Sequence, residues 1–269
     1  MTRKLQSIIK SKAPAAGALV LLLAVWALIA GLGLVPGYML PSPADVAKAF
    51  IGDFGTLCSN AVITLQEAFY GLLLGVSIGF CFAVLMDTFA WLYRAVYPLL
   101  VITQTVPTVA IAPLLVLWFG YEMLPKIILI VIVTFFPVTV GLLDGFRAVD
   151  PDYVRLLRSM GAGRWQIFRH IKFPSALPQF FSGLRIASAY SVVGAVISEW
   201  LGGFGGLGVY MIRVKKAFAF DKMFAVIFLI SAISLALMRL VDTVQKRSMP
   251  YLHLDDQLNQ SEENSHETQ

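Results

Sequence analysis

The chain is short of the residues on which most catalysis depends. It has two cysteines and three histidines in 269 residues, and only 14% of its residues carry a charge. Cys58 borders one apolar run and Cys81 lies inside it, so the pair fits neither a disulfide framework nor a thiolate metal site, and both read as small packing residues. His170 sits in a polar interlude and His253 and His266 in a polar tail, with no metal-ligand spacing between them. No G-x-x-x-x-G-K-[ST], H-E-x-x-H or G-x-S-x-G occurs, which argues against ATP hydrolysis by this chain, a zinc hydrolase and a serine nucleophile. We expect no enzyme, no metal and no cofactor held by this chain. The net charge of +5 is carried by loops between apolar runs, which reads as membrane topology rather than a nucleic-acid surface.

What the chain has is hydrocarbon. Hydrophobic residues make up 58% and mean hydropathy is +0.77, outside what a soluble domain of this size carries. The fold class expected is all-α: a polytopic membrane bundle of about six helices, with a basic N terminus over 1–12, a membrane domain over 13–245 and a polar, disordered tail over 246–269. The runs are about Ala13 to Val35, Ala61 to Leu85, Tyr97 to Phe119, Leu124 to Gly145, Phe180 to Leu201 and Phe224 to Val244. An amphipathic piece from about Ala44 to Phe54 follows the Pro41-Ser42-Pro43 break. Arg3, Lys4, Lys10 and Lys12 before the first run and Lys246 and Arg247 after the last place both termini in the cytoplasm. A signal peptide is the weaker reading of the first run, which lacks a small-x-small cleavage site.

Polar residues within the runs nominate a translocation path. The third run carries Pro98, Pro107 and Pro113 beside Gln104 and three threonines; proline frees backbone carbonyls, and broken backbone at membrane depth needs protein or water beside it. Gln104 and Pro107 are therefore taken as path wall, with Thr134 in the fourth run and Ser188, Ser191 and Glu199 in the fifth. Kinked packing helices are the plainer alternative. Gly71, Gly75 and Gly79, four residues apart, form a stripe suited to close helix contact. Gly203, Gly205 and Gly208 spell G-x-G-x-x-G, but they follow an apolar span rather than a strand, so a flexible turn is expected instead of a nucleotide site.

Between the fourth and fifth runs, residues 147–178 hold Arg147, Arg155, Arg158, Arg164, Arg169 and Lys172. Asp150 is placed to cap a helix starting at Pro151, Gly161 to stop it in the left-handed region, and a second short helix to run from Arg164 to Ile171 until Pro174 and Pro178 close it. This segment resembles the cytoplasmic coupling loop of ABC-importer permeases, whose pattern is E-A-A, three residues, Gly, nine residues, Ile, one residue, Leu-Pro. Gly161, Ile171 and Pro174 stand at that spacing, Phe173 replaces the leucine, and Arg155, Leu156 and Leu157 occupy the E-A-A places.

The resemblance covers nearly the whole chain and implies several partners: a cytoplasmic ATPase that binds the ATP and grips the loop, an extracellular solute-binding protein, a second copy of the chain and surrounding lipid, in a bacterial inner membrane. Pro-Ser-Pro after the first run, QTVPTVAIAPLLVLWFG, RWQIFRHIKFP and SEWLGGFGGLGVYM look most similar to permeases for thiamine precursors such as formylaminopyrimidine. Aliphatic sulfonate, taurine, nitrate or riboflavin permeases are alternatives. From another class, a secondary transporter would use Glu67, Asp144 or Glu199 as a proton site, and a lipid-binding scaffold would use the basic loop alone.

Overall fold

The computed structural model describes residues 2–33 and 35–249, with side chains at residue 14 and from residue 16 onward. The described residues form helices joined by short turns. They are α1 (Thr2–Gly31), α2 (Pro43–Gly52), α3 (Phe54–Thr88), α4 (Ala90–Thr103), α5 (Thr108–Phe119), α6 (Met123–Arg147), α7 (Pro151–Ser159), α8 (Arg164–Ile167), α9 (Phe173–Leu201), α10 (Leu207–Lys216) and α11 (Phe220–Ser248), with a π-helical turn over Phe168–Lys172.

Among the described residues, four helical stretches are long and apolar enough to cross a membrane: α3, α6, Arg164–Leu201 and α11. Helices α4 and α5 make a fifth if taken as one span, but they meet at 98°. The bend replaces the single third run expected from hydropathy, and its cause is local. Pro107 has no N–H to donate, and the hydroxyls of Thr103 and Thr105 turn back to the Leu100 and Ile102 carbonyls at 2.6 and 2.8 Å. The first apolar run is the Ala16–Gly31 part of α1, shorter than the others. Trp26 anchors it, donating to the Pro41 carbonyl at 3.1 Å and stacking on Phe224 and Phe228 of α11. The tail beyond residue 249 lies outside the described residues, and α11 carries Lys246 and Arg247 within its last turn.

The core sits where α6 packs between α3 and α9, burying Leu129, Ile130, Val138 and Leu142. In lipid, backbones approach where side chains are small. The glycine stripe of α3 does this: a Cβ on Gly71 would overlap Ile130, and one on Gly75 would overlap the Thr134 hydroxyl. On the other face of α6, a Cβ on Gly141 would stand 2.7 Å from the Gln179 carbonyl oxygen, and one on Gly145 would stand 2.6 Å from the Ala176 Cα. The three long helices thus form one unit with two ends. One end carries residues 147–178 and is called the coupling end; the far end lies roughly 30 Å away, the length of the twenty residues of α3 between Glu67 and Asp87 at 1.5 Å each.

Candidate coupling surface and translocation groove

At the coupling end the local grammar is realised almost residue by residue. Asp150 accepts from the Asp152 N–H at 2.8 Å, and Pro151 opens α7. Gly161 has φ +85°, and the Gly161 and Ala162 N–H groups close the helix on the Arg158 and Leu157 carbonyls, each at 3.0 Å. The expectation that Pro174 and Pro178 end the second helix fails. The chain passes through the π-helical turn into α9 without a break; Pro174 lies in the first turn of α9, where its missing N–H costs little.

Three contacts tie this segment to the bundle. Lys172 donates to both Asp87 carboxylate oxygens at 2.7 and 2.8 Å. The Arg147 guanidinium lies 3.6 Å over the Tyr93 ring. Phe168 stacks on Trp165 and meets Phe146 and Phe173, while Ile167 is buried beneath. The opposite side is open: Tyr153, Leu156, Met160 and Trp165 are exposed by 58–73% of their surface, beside exposed Arg155, Arg158 and Arg164. Of the motif residues, Gly161 and Leu156 are exposed, while Leu157, Ile171 and Pro174 face the bundle half-buried. Arg155 is held at 3.0 Å by Asp152 within α7.

Along the face where α6 and α9 meet runs a groove of about 440 Å³, lined from the α4–α5 bend by Gln104, from α6 by Phe136, Pro137 and Asp144, and from α9 by Gln179, Ser182 and Tyr190 among others. From Gln179 to Tyr190 it spans roughly 16 Å of helix, at 1.5 Å per residue. Of the expected path residues, Gln104 lines this groove, and Pro107 caps the neighbouring α5 at the bend. Thr134, Ser188, Ser191 and Glu199 do not line it. They are buried between helices, and the first three return their hydroxyls to carbonyls of their own helix, those of Ile130, Leu184 and Ser188, at 2.7–2.8 Å. Their hydroxyls are thus satisfied within their own helices. Arg185 leaves the serine face to pair with Asp242 at 2.6 Å and Gln245 at 2.9 Å on α11.

The far end buries charge. Lys126, in the first turn of α6, donates to Glu67 at 2.5 Å, and Glu199 accepts from Thr64 at 2.7 Å and from the Gly208 N–H at 2.5 Å. The glycine turn expected to be free is wrapped around these groups: Gly206 donates to Asn60 at 3.0 Å and Leu207 to Thr64 at 2.9 Å. Beside it, Asp53 takes a proton donor from Tyr210 and an ion pair from Lys222 at 2.8 Å. Lys222 and the Tyr210 hydroxyl hold the Asp53 carboxyl below the usual carboxylate range, while burial and Asp53 push the Tyr210 hydroxyl up.

Lys126 and Gln179 escaped the reading of the sequence. A lysine directly after Glu-Met-Leu-Pro looks like an interfacial cation at a span entrance. Its signal was Glu67, an acid inside the second apolar run, which needed a buried partner.

The comparisons agree with this architecture. The formylaminopyrimidine transport permease protein ThiX of Halalkalibacterium halodurans is 38% identical over 216 residues, covering 80% of this chain and 86% of its own. The riboflavin transport system permease protein RibX of Chloroflexus aurantiacus is 31% identical over 230 residues, covering 85% and 86%. A bacterial ABC transporter that imports the polysaccharide alginate superposes with a TM-score of 0.61 at 16% identity, covering 91% of this chain and 99% of the other, a likeness of fold. The model of the binding-protein-dependent transport system inner membrane component family matches residues 71–249, from the glycine stripe through the coupling segment to the end of α11, and this chain belongs to that family, a membrane permease of the ABC transporters.

Proposed function

We propose that two copies of this chain face each other across the α6–α9 groove and that a small solute crosses between them. An ATPase grips the exposed side of α7 and α8 in the cytoplasm, and a solute-binding protein docks at the extracellular far end. The observation that carries this reading is Asp144. It is exposed on a membrane-spanning helix, makes no ion pair among the described residues and lines the groove with two glutamines, a serine and a tyrosine. Such a face is costly against lipid, and a water-containing path between two protomers removes that cost. The Lys172–Asp87 pair and the Phe168 aromatic cluster give the ATPase a stiff handle on α3, α6 and α9, so that closing the ATPases rocks the spans. Both chain termini then lie on the cytoplasmic side.

The solute we favour is a thiamine pyrimidine precursor such as formylaminopyrimidine. Two features support this. Among the described residues, the groove offers amide and hydroxyl groups with a single carboxylate and no cation, a surface that suits an uncharged or weakly basic heterocycle and repels a sulfonate. ThiX, 38% identical, is named for that solute. Riboflavin is the second reading, on the likeness to RibX.

The test is ATP hydrolysis by the partner ATPase co-purified with this chain in lipid, with binding protein loaded with formylaminopyrimidine, riboflavin or an alkanesulfonate. Stimulation by the first supports the full reading. Stimulation by another loaded form moves the solute and keeps the mechanism, and the absence of any co-purifying ATPase overturns both.

A further inference from the structure

The charges buried at the far end do not balance. Lys126 and Glu67 have side chains only 6% and 3% exposed, and Glu199 is 2% exposed. Two carboxyl groups therefore share one ammonium, in the part of the molecule least able to carry a net charge. The hydrogen bonds show the same deficit. Lys126 satisfies Glu67 Oε1, and Thr64 and the Gly208 N–H satisfy Glu199 Oε1 and Oε2, but Glu67 Oε2 is buried with no donor. Glu199 lies within hydrogen-bond reach of Glu67; two ionised carboxylates offer no donor to each other, so an orphaned oxygen beside a second carboxyl is what a missing proton looks like.

Among the described residues the cluster is contacted by no further charge. From α3 it meets Asn60 and Thr64, from α6 Lys126, from α9 Glu199, and from the glycine turn and α10 backbone N–H groups. Of the other charged residues at this end, Asp53 and Lys222 pair with each other, and Glu122, Arg213, Lys215 and Lys216 are exposed. The turn is shaped to the carboxyl: Gly206 has φ +114°, and a Cβ there would fall on the Glu199 carboxyl group.

We propose that Glu67 and Glu199 hold one proton between them, an O–H bridging Glu67 Oε2 and the Glu199 carboxyl, so that with the Lys126 ammonium the cluster is neutral. One carboxyl keeps the proton and the other keeps the negative charge; no other group changes state. The neutral cluster latches the far ends of α3, α6 and α9 to the glycine turn and α10. This holds whatever solute is carried.

The test uses the full chain in lipid nanodiscs. Infrared difference spectra between wild type and Glu67→Gln or Glu199→Gln, at neutral pH, should show a protonated-carboxyl C=O band lost in each variant. Glu67→Gln, which supplies a permanent N–H donor and keeps the cluster neutral, should unfold close to the wild-type temperature at neutral pH. In wild type alone, the protonated-carboxyl band should be present at neutral pH and shift to lower frequency after exchange into D2O. A wild-type spectrum without an exchangeable protonated-carboxyl band, or difference spectra in which both variants keep it, overturns the proposal.

Discussion

The two ends of one helical bundle treat charge in opposite ways. At the far end, Glu67, Lys126 and Glu199 are buried, each tied to a partner on another helix. At the coupling end, Arg158, Arg164 and Arg169 stand exposed on short helices beside bare Trp165 and Met160. Burial makes the lone cation of the first set costly to remove, since its loss strands the carboxyl charge it balances. Exposure makes the second set nearly indifferent to folding and available to a partner. One end is built to hold together, the other to be held.

The largest expected effect lies at the far end. Lys126→Met leaves two carboxyls buried with no cation and should destabilise the protein by about 3–5 kcal/mol; a thermal-unfolding midpoint like that of wild type would break the contrast between the ends. Next comes the packing between them. Gly75→Val puts a branched side chain onto the Thr134 hydroxyl and should cost about 1–3 kcal/mol as α3 and α6 separate, read by the same melt.

Gly161→Val belongs to the exposed end. Its left-handed backbone costs an L-residue roughly 1–2 kcal/mol locally, while nothing stands within 4 Å of an added Cβ. The bundle should survive and ATPase stimulation should be lost; normal stimulation would show that the helix pair is not the handle. Arg158→Ala should shift stability by less than about 0.5 kcal/mol yet weaken ATPase co-purification.

The smallest effect is a pH dependence. Because Lys222 and Tyr210 hold the Asp53 carboxyl low, the stability it adds is present above the ordinary carboxylate value and lost as pH falls through the lowered one. Asp53→Asn should be slightly less stable at neutral pH and lack that acid loss.

Legibility differed between the ends for the same reason. Asp150, Pro151 and Gly161 act within a few residues of themselves, so their roles were readable in order along the chain. Glu67 and Lys126 are 59 residues apart, and Thr64 and Glu199 are 135 apart. Nothing in either neighbourhood names the other. The serines of α9 show the same limit: a polar stripe on a span is legible in the sequence, but that Ser188 and Ser191 bond their own helix carbonyls is not.

A membrane-embedded helical chain, the order of its apolar runs, the helix–glycine–helix segment and the need for small residues along α3 are legible in the residue order. These follow from hydropathy, capping and the space a side chain occupies, all of which act locally. The 98° bend of the third run, the place of Pro174 at the start of a helix rather than its end, the groove shared by Asp144 and Gln179, and the closure of a glycine turn around Glu199 emerge only once the helices are packed together. Each of those depends on which helices meet, and that is set by long-range packing of surfaces with little in their local sequence to distinguish them.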